Sequence, residues 1–350
     1  MKHMSVPIPI YGLDWHIHQS PAQRELVSDP LGPYLQFEQF GWDGNVLPSF
    51  RTEWIQTSPI VFFHLLPPRD FLRYDDARIV WIPMWDQARR YDLAWWQNLP
   101  KNLRVVAFSR EISARARAVG LHTLDLRFFK SPDEFIPARW GRDRVLYYWN
   151  RTGLVGKNFI SRFCQSLDVE LLIYRRQIDP LIPAGFDYPL PNRLGKTRVQ
   201  EITGNKFLPK NDYMEIVNQA NIFIAPRISE GVGLSFIEEL ARGCAVFAYD
   251  APTMNEYIVH KSNGYLFQKY ANTRLNQLRE RMNRRTNRYL IHVGKAQLGV
   301  EHPVTDWQDW NEINNLDLQR MGEQARQQQA EGFREWAASI PKYASFILDW

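Results

Sequence analysis

Cysteine is scarce in this 350-residue chain, which contains only Cys164 and Cys244. Both lie in apolar segments without metal-binding spacing, so a disulfide-stabilised fold is excluded and a reducing compartment is favoured. No apolar run reaches the length of a transmembrane helix, and the first residues, MKHMSVPIPIYG, lack the plan of a signal peptide. We therefore expect a cytoplasmic protein, with peripheral association at the inner face of a membrane left open.

Several cofactor motifs are also absent. No Gly-x-Gly-x-x-Gly follows a strand, which argues against NAD, and no Cys/His cluster or Asp-x-Asp pair suggests a metal. The LGKT at residues 194–197 resembles the end of a phosphate-binding P-loop, but Leu190 stands where that motif requires its first glycine. We therefore expect neither a cofactor nor a metal ion.

Length and charge limit the architecture and the partners. A chain of 350 residues is about twice the size of a typical domain, so two domains are expected. The net charge of +5 is compatible with nucleotides or an anionic lipid surface. The basic residues do not cluster with aromatic ones in a nucleic-acid-binding module, and the basic segment 279–289 is typical of a solvated helix face. Nucleic acid is therefore not an expected partner.

Strands and helices alternate in two series. Apolar runs at residues 60–66, 78–85 and 103–109 predict strands, and the last leads into a helix that stops at Gly120. Residues 1–50 are only weakly informative. Residues 128–143 are typical of a linker, after which a second series begins. We expect an α/β protein with an N-terminal domain, a second domain and a last helix, interrupted at Pro341, that crosses back onto the first domain; the predicted bounds are 1–138, 142–334 and 335–350.

The segment APRISEGVGLSFIEELARGCAVFAYDAP, residues 225–252, carries the most information. A buried strand precedes Gly231 and Gly233, and a helix and a second apolar strand follow. Such a strand–loop–helix–strand unit belongs to a parallel sheet, and its loop lies at the carboxyl edge, where ligands bind. Glu230 and Glu238 flank that loop.

These features together resemble the two-Rossmann-domain (GT-B) glycosyltransferases, in particular the retaining enzymes of glycosyltransferase family 4 (glycosyl transferases group 1). The resemblance is specific over residues 144–267. It rests on the family's glutamate–seven residues–glutamate motif, here EGVGLSFIE at residues 230–238, with ARG after it and NGYLF at residues 263–267. The resemblance implies two Rossmann-like domains facing across a cleft.

The resemblance also implies roles for the motif in binding a nucleotide sugar. Glu230 would bind hydroxyls of the donor sugar and Glu238 the ribose, since a carboxylate can accept from two hydroxyls. N–H groups at the start of the helix would receive the diphosphate, and the glycines would let the backbone approach it. The implied binding loop consists of Gly231, Val232, Gly233, Leu234 and Ser235. As an alternative, Glu230 is a helix cap and Glu238 an exposed helical residue.

Two cations strengthen the resemblance. The family places an arginine after the first strand of its second domain and a lysine six residues later, and YYWNRTGLVGKNF supplies Arg151 and Lys157. Two cations suit a departing diphosphate in a metal-free site, although both could simply be solvated loop residues. The segment TGNKFLPKND matches the family's loop against the nucleobase, which implies that Lys206 and Phe207 contact the base. Asn150 replaces the glycine that usually precedes the arginine.

The first domain departs from the family's pattern. The usual glycine-rich loop after strand one is represented only by Gly12. Where the family carries a His–Asp step, with the histidine on the donor sugar, this chain has Trp85 and Asp86. Either that role is lost or another histidine supplies it, and His64 is the best substitute. In the second domain, Asn221 stands where aspartate is more usual.

The resulting expectation is a retaining glycosyltransferase of polysaccharide biosynthesis that moves a sugar from a nucleotide sugar to a hydroxyl of a glycan or lipid-linked glycan. The implied catalytic residues are Glu230, Arg151, Lys157 and Asp86. The basic charge and the eight tryptophans before Arg142 permit an acceptor carried on lipid. Two alternatives stay open: a catalytically silent nucleotide-sugar-binding or scaffold protein, favoured by Trp85, and a sugar-nucleotide epimerase.

Overall fold

Two units make up the described part of the chain in the computed structural model. The structure describes residues 7–18, 21–42, 57–64, 66–67, 76–152, 154–177, 187–203, 209–267 and 310–350. The first unit contains Met1–Lys130, Ser229–Leu234 and Ala330–Trp350, and the second contains Ser131–Ile228 and Ser235–Gln329. A short loop and the C-terminal residues therefore belong to the first unit, although they are remote from it in sequence.

Six parallel strands form the sheet of the first unit. In the order β2-β1-β3-β4-β5-β6, the sheet contains β1 (Ile8–Leu13), β2 (Phe37–Trp42), β3 (Ile60–His64), β4 (Ile79–Pro83), β5 (Arg104–Ala107) and β6 (His122–Asp125). The order reverses between β1 and β3, and a sheet of this kind binds ligands at the carboxyl ends of such strands. His64, the last residue of β3, stands at this edge.

The first two strands lie in the weakly informative N-terminal region. Pro9 and Gly12 lie inside β1, although proline is rare within a sheet and glycine weakens a strand. β1 is nevertheless central, because Tyr11 stacks on Phe40 of β2 and Phe62 of β3 with ring centroids 5.0 and 5.5 Å apart. Contacts between strands, rather than local propensity, stabilise this part of the fold.

Short helices accompany this sheet: α1 (Asp14–His18), α2 (Pro21–Gln23), a π-helix (Arg24–Ser28), α3 (Asp29–Leu31), α4 (Trp85–Ala88), α5 (Leu93–Gln97) and α6 (Arg110–Ala118). Ser109 caps α6, since its hydroxyl accepts from the backbone N–H of Glu111. Gly120, with φ +77°, follows the end of α6. The strands predicted at residues 60–66, 78–85 and 103–109, and the helix before Gly120, are confirmed with shorter bounds.

The second unit contains a seven-stranded sheet. In the order β13-β12-β11-β7-β8-β10-β9, it contains β7 (Val145–Asn150), β8 (Leu171–Arg176), β9 (Arg193–Leu194), β10 (Thr197–Thr203), β11 (Ile222–Ile224), β12 (Ala245–Tyr249) and β13 (Tyr265–Phe267). Of these described strands only β9 is antiparallel, and residues 194–197 form its turn into β10 rather than a P-loop. Without β9 the order is that of a dinucleotide-binding Rossmann sheet, which reverses between β7 and β11.

The helical elements of the second unit are a 3₁₀ helix (Pro132–Glu134), α7 (Lys157–Ser166), α8 (Lys210–Val217), α9 (Leu234–Arg242), α10 (Met254–Tyr257), α11 (Trp310–Asn314) and the start of α12 (Leu318–Leu348). Phe159 and Phe163 of α7 pack edge-on against Phe267 and Phe247 of the sheet, with centroids 5.4 and 4.8 Å apart. Such pairs add to the burial of apolar area that holds helix and sheet together.

The last helix, α12, is continuous, so the predicted interruption at Pro341 is wrong. A proline inside a helix removes one N–H bond and costs about 3 kcal/mol. Tyr343 and Ile347, which follow it, are fully buried, and burial of two such side chains is large enough to offset that cost. None of the described helices, α12 included, is long and apolar enough to cross a membrane.

The C-terminal part of α12, Ala330–Trp350, packs within the first unit. Trp336 lies against Phe108 and Phe128, with ring centroids 6.0 and 5.5 Å apart. The guanidinium of Arg104 donates to the carbonyl oxygen of Phe346 at 2.8 Å. These contacts connect α12 to β5 and to the segment that follows β6.

We expect Gly322→Ala to destabilise the protein, although alanine is the better helix former by about 1 kcal/mol. A Cβ at Gly322 would overlap the backbone carbonyl oxygen of Gly243, which also accepts from the indole N–H of Trp140 at 3.1 Å. Overpacking of this kind costs about 1–3 kcal/mol, which chemical denaturation can measure. Gly141→Ala is the control, because no atom lies within 4 Å of its added methyl. Equal stability of the two variants would show that the Gly322 contact is not tight.

Candidate functional site

The loop at Ser229–Leu234 carries most of the predicted donor-binding residues and packs against the segment between β4 and α4. A Cβ at Gly231 would lie 2.9 Å from Cβ of Met84 and 3.2 Å from Oδ1 of Asp86. Gly233 has φ +85°, a conformation that favours glycine. Both glycines are therefore required by the packing and backbone of the loop itself.

A histidine and an aspartate lie beside this loop in the first unit. His64 has φ +68°, and its Nε2 lies 3.9 Å from Oδ1 of Asp86. Their side chains are 8% and 15% exposed, and Glu230 is 7% exposed. The structure thus places His64 and Asp86 in a weakly solvated pair, and Gly231, the residue after Glu230, packs against Asp86.

Trp85, which occupies the family's histidine position, packs in the core instead. It belongs to the same apolar cluster as Trp81 and Ile112, and the guanidinium of Arg115 lies 4.7 Å from its ring. Asp86, the next residue, contacts His64. The chain therefore accommodates a tryptophan at this position without losing a histidine from the carboxyl edge of the sheet.

The two predicted phosphate-binding cations follow β7 of the second unit. Arg151 comes directly after β7 and is half-buried, with its guanidinium 5.1 Å from the ring of Trp149. Lys157 is the exposed first residue of α7. Between them, the hydroxyl of Thr152 donates to the carbonyl oxygen of Pro226 at 2.7 Å, which connects this loop to the segment after β11. Both cations lie at the edge where the strand order reverses.

Asn150 is fully buried in a tyrosine network, which explains why it replaces the family's glycine. Its Nδ2 donates to the hydroxyl of Tyr174 at 2.8 Å, and its Oδ1 accepts from the hydroxyl of Tyr148 at 3.2 Å. Tyr174 in turn donates to the carbonyl oxygen of Tyr188 at 2.9 Å. Burial raises the pKa of Tyr148 and of Tyr174, so both phenols stay neutral. A glycine at position 150 could make none of these side-chain bonds.

Asn221 has a similar structural explanation. Its Nδ2 donates to the carbonyl oxygens of Arg139 and Asp143 at 3.0 and 2.9 Å, and its Oδ1 accepts from the backbone N–H of Val145 at 3.0 Å. An aspartate could only accept. The amide therefore holds the chain where it enters the second sheet.

The second motif glutamate lies on α9 beside an ion pair that the sequence motif does not reveal. Glu238 is half-buried, whereas its neighbour Glu239 is 1% exposed and pairs with Arg242 at 2.6 Å. Glu239 also accepts from the thiol of Cys244 at 3.1 Å. Burial raises the pKa of Glu239, and Arg242 partly offsets that rise. The i, i+3 spacing is a weak sequence signal for such a pair, but its burial is a tertiary property.

The structure gives fewer contacts for the remaining residues of the predicted site. Ser235 is half-buried on α9, whereas Lys206, Phe207 and the basic segment 279–289 lie outside the described residues. Gly12 lies within β1, where a Cβ would be 3.0 Å from the carbonyl oxygen of Phe63, so it marks a close strand contact rather than a loop. The described ranges contain no group of three His, Cys, Asp or Glu residues that could hold a metal ion.

A family model and a curated relative match parts of this chain. Residues 198–288 match the model described as Glycosyl transferases group 1. The GtfA subunit of UDP-N-acetylglucosamine–peptide N-acetylglucosaminyltransferase from Limosilactobacillus reuteri subsp. suis is 32% identical over 77 residues, which is 21% of this chain. That match spans only 15% of the relative's own length.

Two solved structures share the fold along nearly the whole chain. Anabaena HepE, in complex with UDP and glucose, has a TM-score of 0.55 and 14% identity, covering 97% of this chain and 98% of that one. A glycosyltransferase from Rickettsia africae has a TM-score of 0.56 and 12% identity, covering 98% and 99%. At these identities the likeness shows the fold, which is GT-B. The predicted fold class and the resemblance to GT-B glycosyltransferases are confirmed.

We expect Arg242→Met to cost about 3–5 kcal/mol at neutral pH, because it leaves the buried Glu239 without its cation. The pKa of Glu239 is already raised in the folded state and rises further without Arg242. A carboxyl group whose pKa is higher in the folded than in the unfolded state makes the folded state most stable at pH values below the unfolded-state pKa. That stability is lost as the pH rises towards the folded-state pKa. Urea denaturation should therefore show a larger deficit at pH 8 than at pH 5. The double variant Glu239→Leu/Arg242→Met should lose this pH dependence, and an equal dependence in both would contradict the assignment.

Proposed function

We propose that this protein is a retaining glycosyltransferase that moves a sugar from a nucleotide-sugar donor to an acceptor hydroxyl. The observation that carries the proposal is the Glu230–Gly231 loop packed beside Asp86 and His64, within a GT-B fold. The group 1 match over residues 198–288 supports it independently of that geometry.

The second unit supplies what a nucleoside diphosphate leaving group needs. Arg151 and Lys157 follow β7, and α9 begins after β11 at the strand-order reversal. The first N–H groups of a helix have no acceptor within the helix and suit an anion. Cations and helix N–H groups stabilise a diphosphate as it gains negative charge, without a metal. In this proposal Glu238, on the same helix, binds the ribose hydroxyls.

The nucleotide in the proposal is uridine diphosphate. HepE is described in complex with UDP and glucose, and the name of the L. reuteri relative specifies UDP-N-acetylglucosamine. Neither observation identifies the sugar of this protein. The proposed donor is accordingly a UDP-hexose or UDP-N-acetylhexosamine.

The first unit supplies the groups for the sugar. We assign Glu230 to the donor's hydroxyls and the His64–Asp86 pair to the positioning of the same sugar. The reaction is front-face attack: the acceptor oxygen forms a bond to the anomeric carbon as the bond to the diphosphate oxygen breaks. The acceptor proton passes to the departing diphosphate, so no protein nucleophile is required. Positioning and electrostatic stabilisation then account for the rate.

The acceptor in this proposal is a hydroxyl of a glycan or a lipid-linked glycan in polysaccharide biosynthesis. The basic net charge of +5 is compatible with acceptors presented at an anionic membrane surface. The rival function is a catalytically silent nucleotide-sugar-binding protein, which the core position of Trp85 favours. Turnover with an acceptor separates the two.

The first test is a calorimetric screen of UDP, UDP-glucose, UDP-galactose and UDP-N-acetylglucosamine. We expect one donor to bind the wild type more tightly than UDP, and Glu230→Ala to lose that preference by about tenfold, since it removes hydrogen bonds to the sugar. Affinity for UDP itself should be unchanged. Glu335→Ala, an exposed glutamate on α12, is the control. If no nucleotide binds, the donor site is wrongly assigned.

The stereochemical part of the proposal has its own readout. With the donor from the screen and a glycan acceptor, NMR of the initial product should show the anomeric configuration of the donor. An inverted product would contradict the retaining mechanism but leave the donor site standing.

We expect His64→Asn and Asp86→Asn each to lower kcat about 100-fold, with little change in the KM of the donor, because the proposed role of the pair is to position the sugar in the transition state and not to bind it in the ground state. His122→Asn, an exposed histidine on β6, is the matched control in the same unit. Steady-state kinetics measure both parameters. A rise in KM at constant kcat would indicate that the pair contributes only to binding.

A further inference from the structure

The end of β8 carries a buried arginine that differs from its neighbours. Arg176 pairs with Asp187 at 2.5 Å and Glu201 at 3.1 Å. Arg175, one residue earlier, is 4% exposed. Within the described residues, no carboxylate lies within ion-pair distance of Arg175. Its buried counterpart on α9, Arg242, does have a carboxylate partner.

The partners of Arg175 in the described part of the chain are neutral. Its Nη2 donates to Oε1 of Gln177, and its guanidinium lies 4.4 Å from the centroid of the Trp149 ring. It also lies against the hydroxyl of Tyr147, a phenol that stays neutral because burial raises its pKa to about 12. A cation–π contact and two uncharged groups compensate only part of the lost hydration of a guanidinium.

The position of Arg175 places this charge at the ligand-binding edge of the sheet. Trp149 and Arg175 are direct partners in the parallel pairing of β7 with β8, near the carboxyl end of each strand. The guanidinium of Arg151 lies 5.1 Å from the centroid of the same indole ring, so both guanidinium groups contact one tryptophan. β7 is one of the two strands between which the order of the sheet reverses.

We infer that Arg175 is a further diphosphate-binding residue, which acts with Arg151 on the leaving group of the donor. This inference rests on the proposed function. Two guanidinium groups on one ring are repulsive in the free protein, and a bound polyphosphate turns that repulsion into attraction. The planar guanidinium matches phosphate oxygens and forms short, charge-assisted hydrogen bonds. Trp149 is then a positioning residue that keeps both cations at the edge.

The surroundings of Arg175 differ from those of an arginine that only stabilises the fold. A structural arginine of this unit, such as Arg242, has a carboxylate partner and backbone acceptors on two other segments. Arg175 is buried as well, but no described residue supplies it with such a counter-charge. Its replacement should therefore weaken anion binding more than it weakens the fold.

The experiment is isothermal titration of UDP, uridine and inorganic pyrophosphate into the full chain and into Arg175→Gln and Arg175→Lys. We expect the Kd for UDP and for pyrophosphate to rise about 10- to 100-fold in Arg175→Gln, with uridine unchanged, because the lost bonds are to charged oxygens. Arg175→Lys should retain part of the affinity. The melting temperature of unliganded Arg175→Gln should equal or exceed that of the wild type, since a buried charge is removed.

Arg162→Gln is the matched control, because this arginine also lies over a tryptophan, Trp310, at 4.8 Å, but on α7. It should bind UDP like the wild type. Unchanged UDP and pyrophosphate binding in Arg175→Gln would overturn the inference, as would an equal loss of uridine binding, which would indicate a contact to the base. Failure of the wild type to bind either UDP or pyrophosphate would overturn the proposed function itself, so the two failures are distinguishable.

Discussion

Parallel strand pairing is the constraint on which the rest of the structure depends. In the described sheets every strand except β9 runs in one direction, so all loops that follow strands emerge at one edge of their sheet. At the amino edge of the second sheet, Asn221 and Arg242 bind the backbone of residues 136–145. At the carboxyl edges the structure places His64, which ends β3, and Arg151, which follows β7.

Three sets of buried or weakly solvated ionisable side chains differ in the partners that surround them. The Glu239–Arg242 pair is complete and stabilises α9. His64 and Asp86 form a close, weakly solvated pair, with Nε2 and Oδ1 3.9 Å apart. Among the described residues Arg175 has only neutral partners, which is the arrangement expected where a ligand brings the counter-charge. The degree to which a charge is compensated inside the protein thus separates structural residues from candidate ligand-binding ones.

The departures from the family's pattern have local physical causes. Asn150 replaces a glycine because two buried tyrosine hydroxyls need an amide between them. Trp85 replaces a histidine because its side chain fills the core of the first unit while Asp86 contacts His64. Gly231 is required by the loop's own contact with Met84, because a Cβ at position 231 would collide with that side chain. In each case a contact within the protein accounts for the residue at that position.

The sequence by itself determined the α/β class, the strands and helix around the Glu230–Glu238 motif and the resemblance to GT-B glycosyltransferases, because hydrophobic periodicity and glycine placement are local signals. It did not determine β1 and β2, where Pro9 and Gly12 oppose strand formation and cross-strand packing prevails. It also predicted an interruption at Pro341 that burial of Tyr343 and Ile347 prevents. Only the tertiary structure decided that His64 meets Asp86, that the Glu230 loop packs on Met84, and that Arg175 is buried with no carboxylate partner among the described residues. These are contacts between segments far apart in the chain, and burial and charge compensation are properties of the surroundings rather than of neighbouring residues.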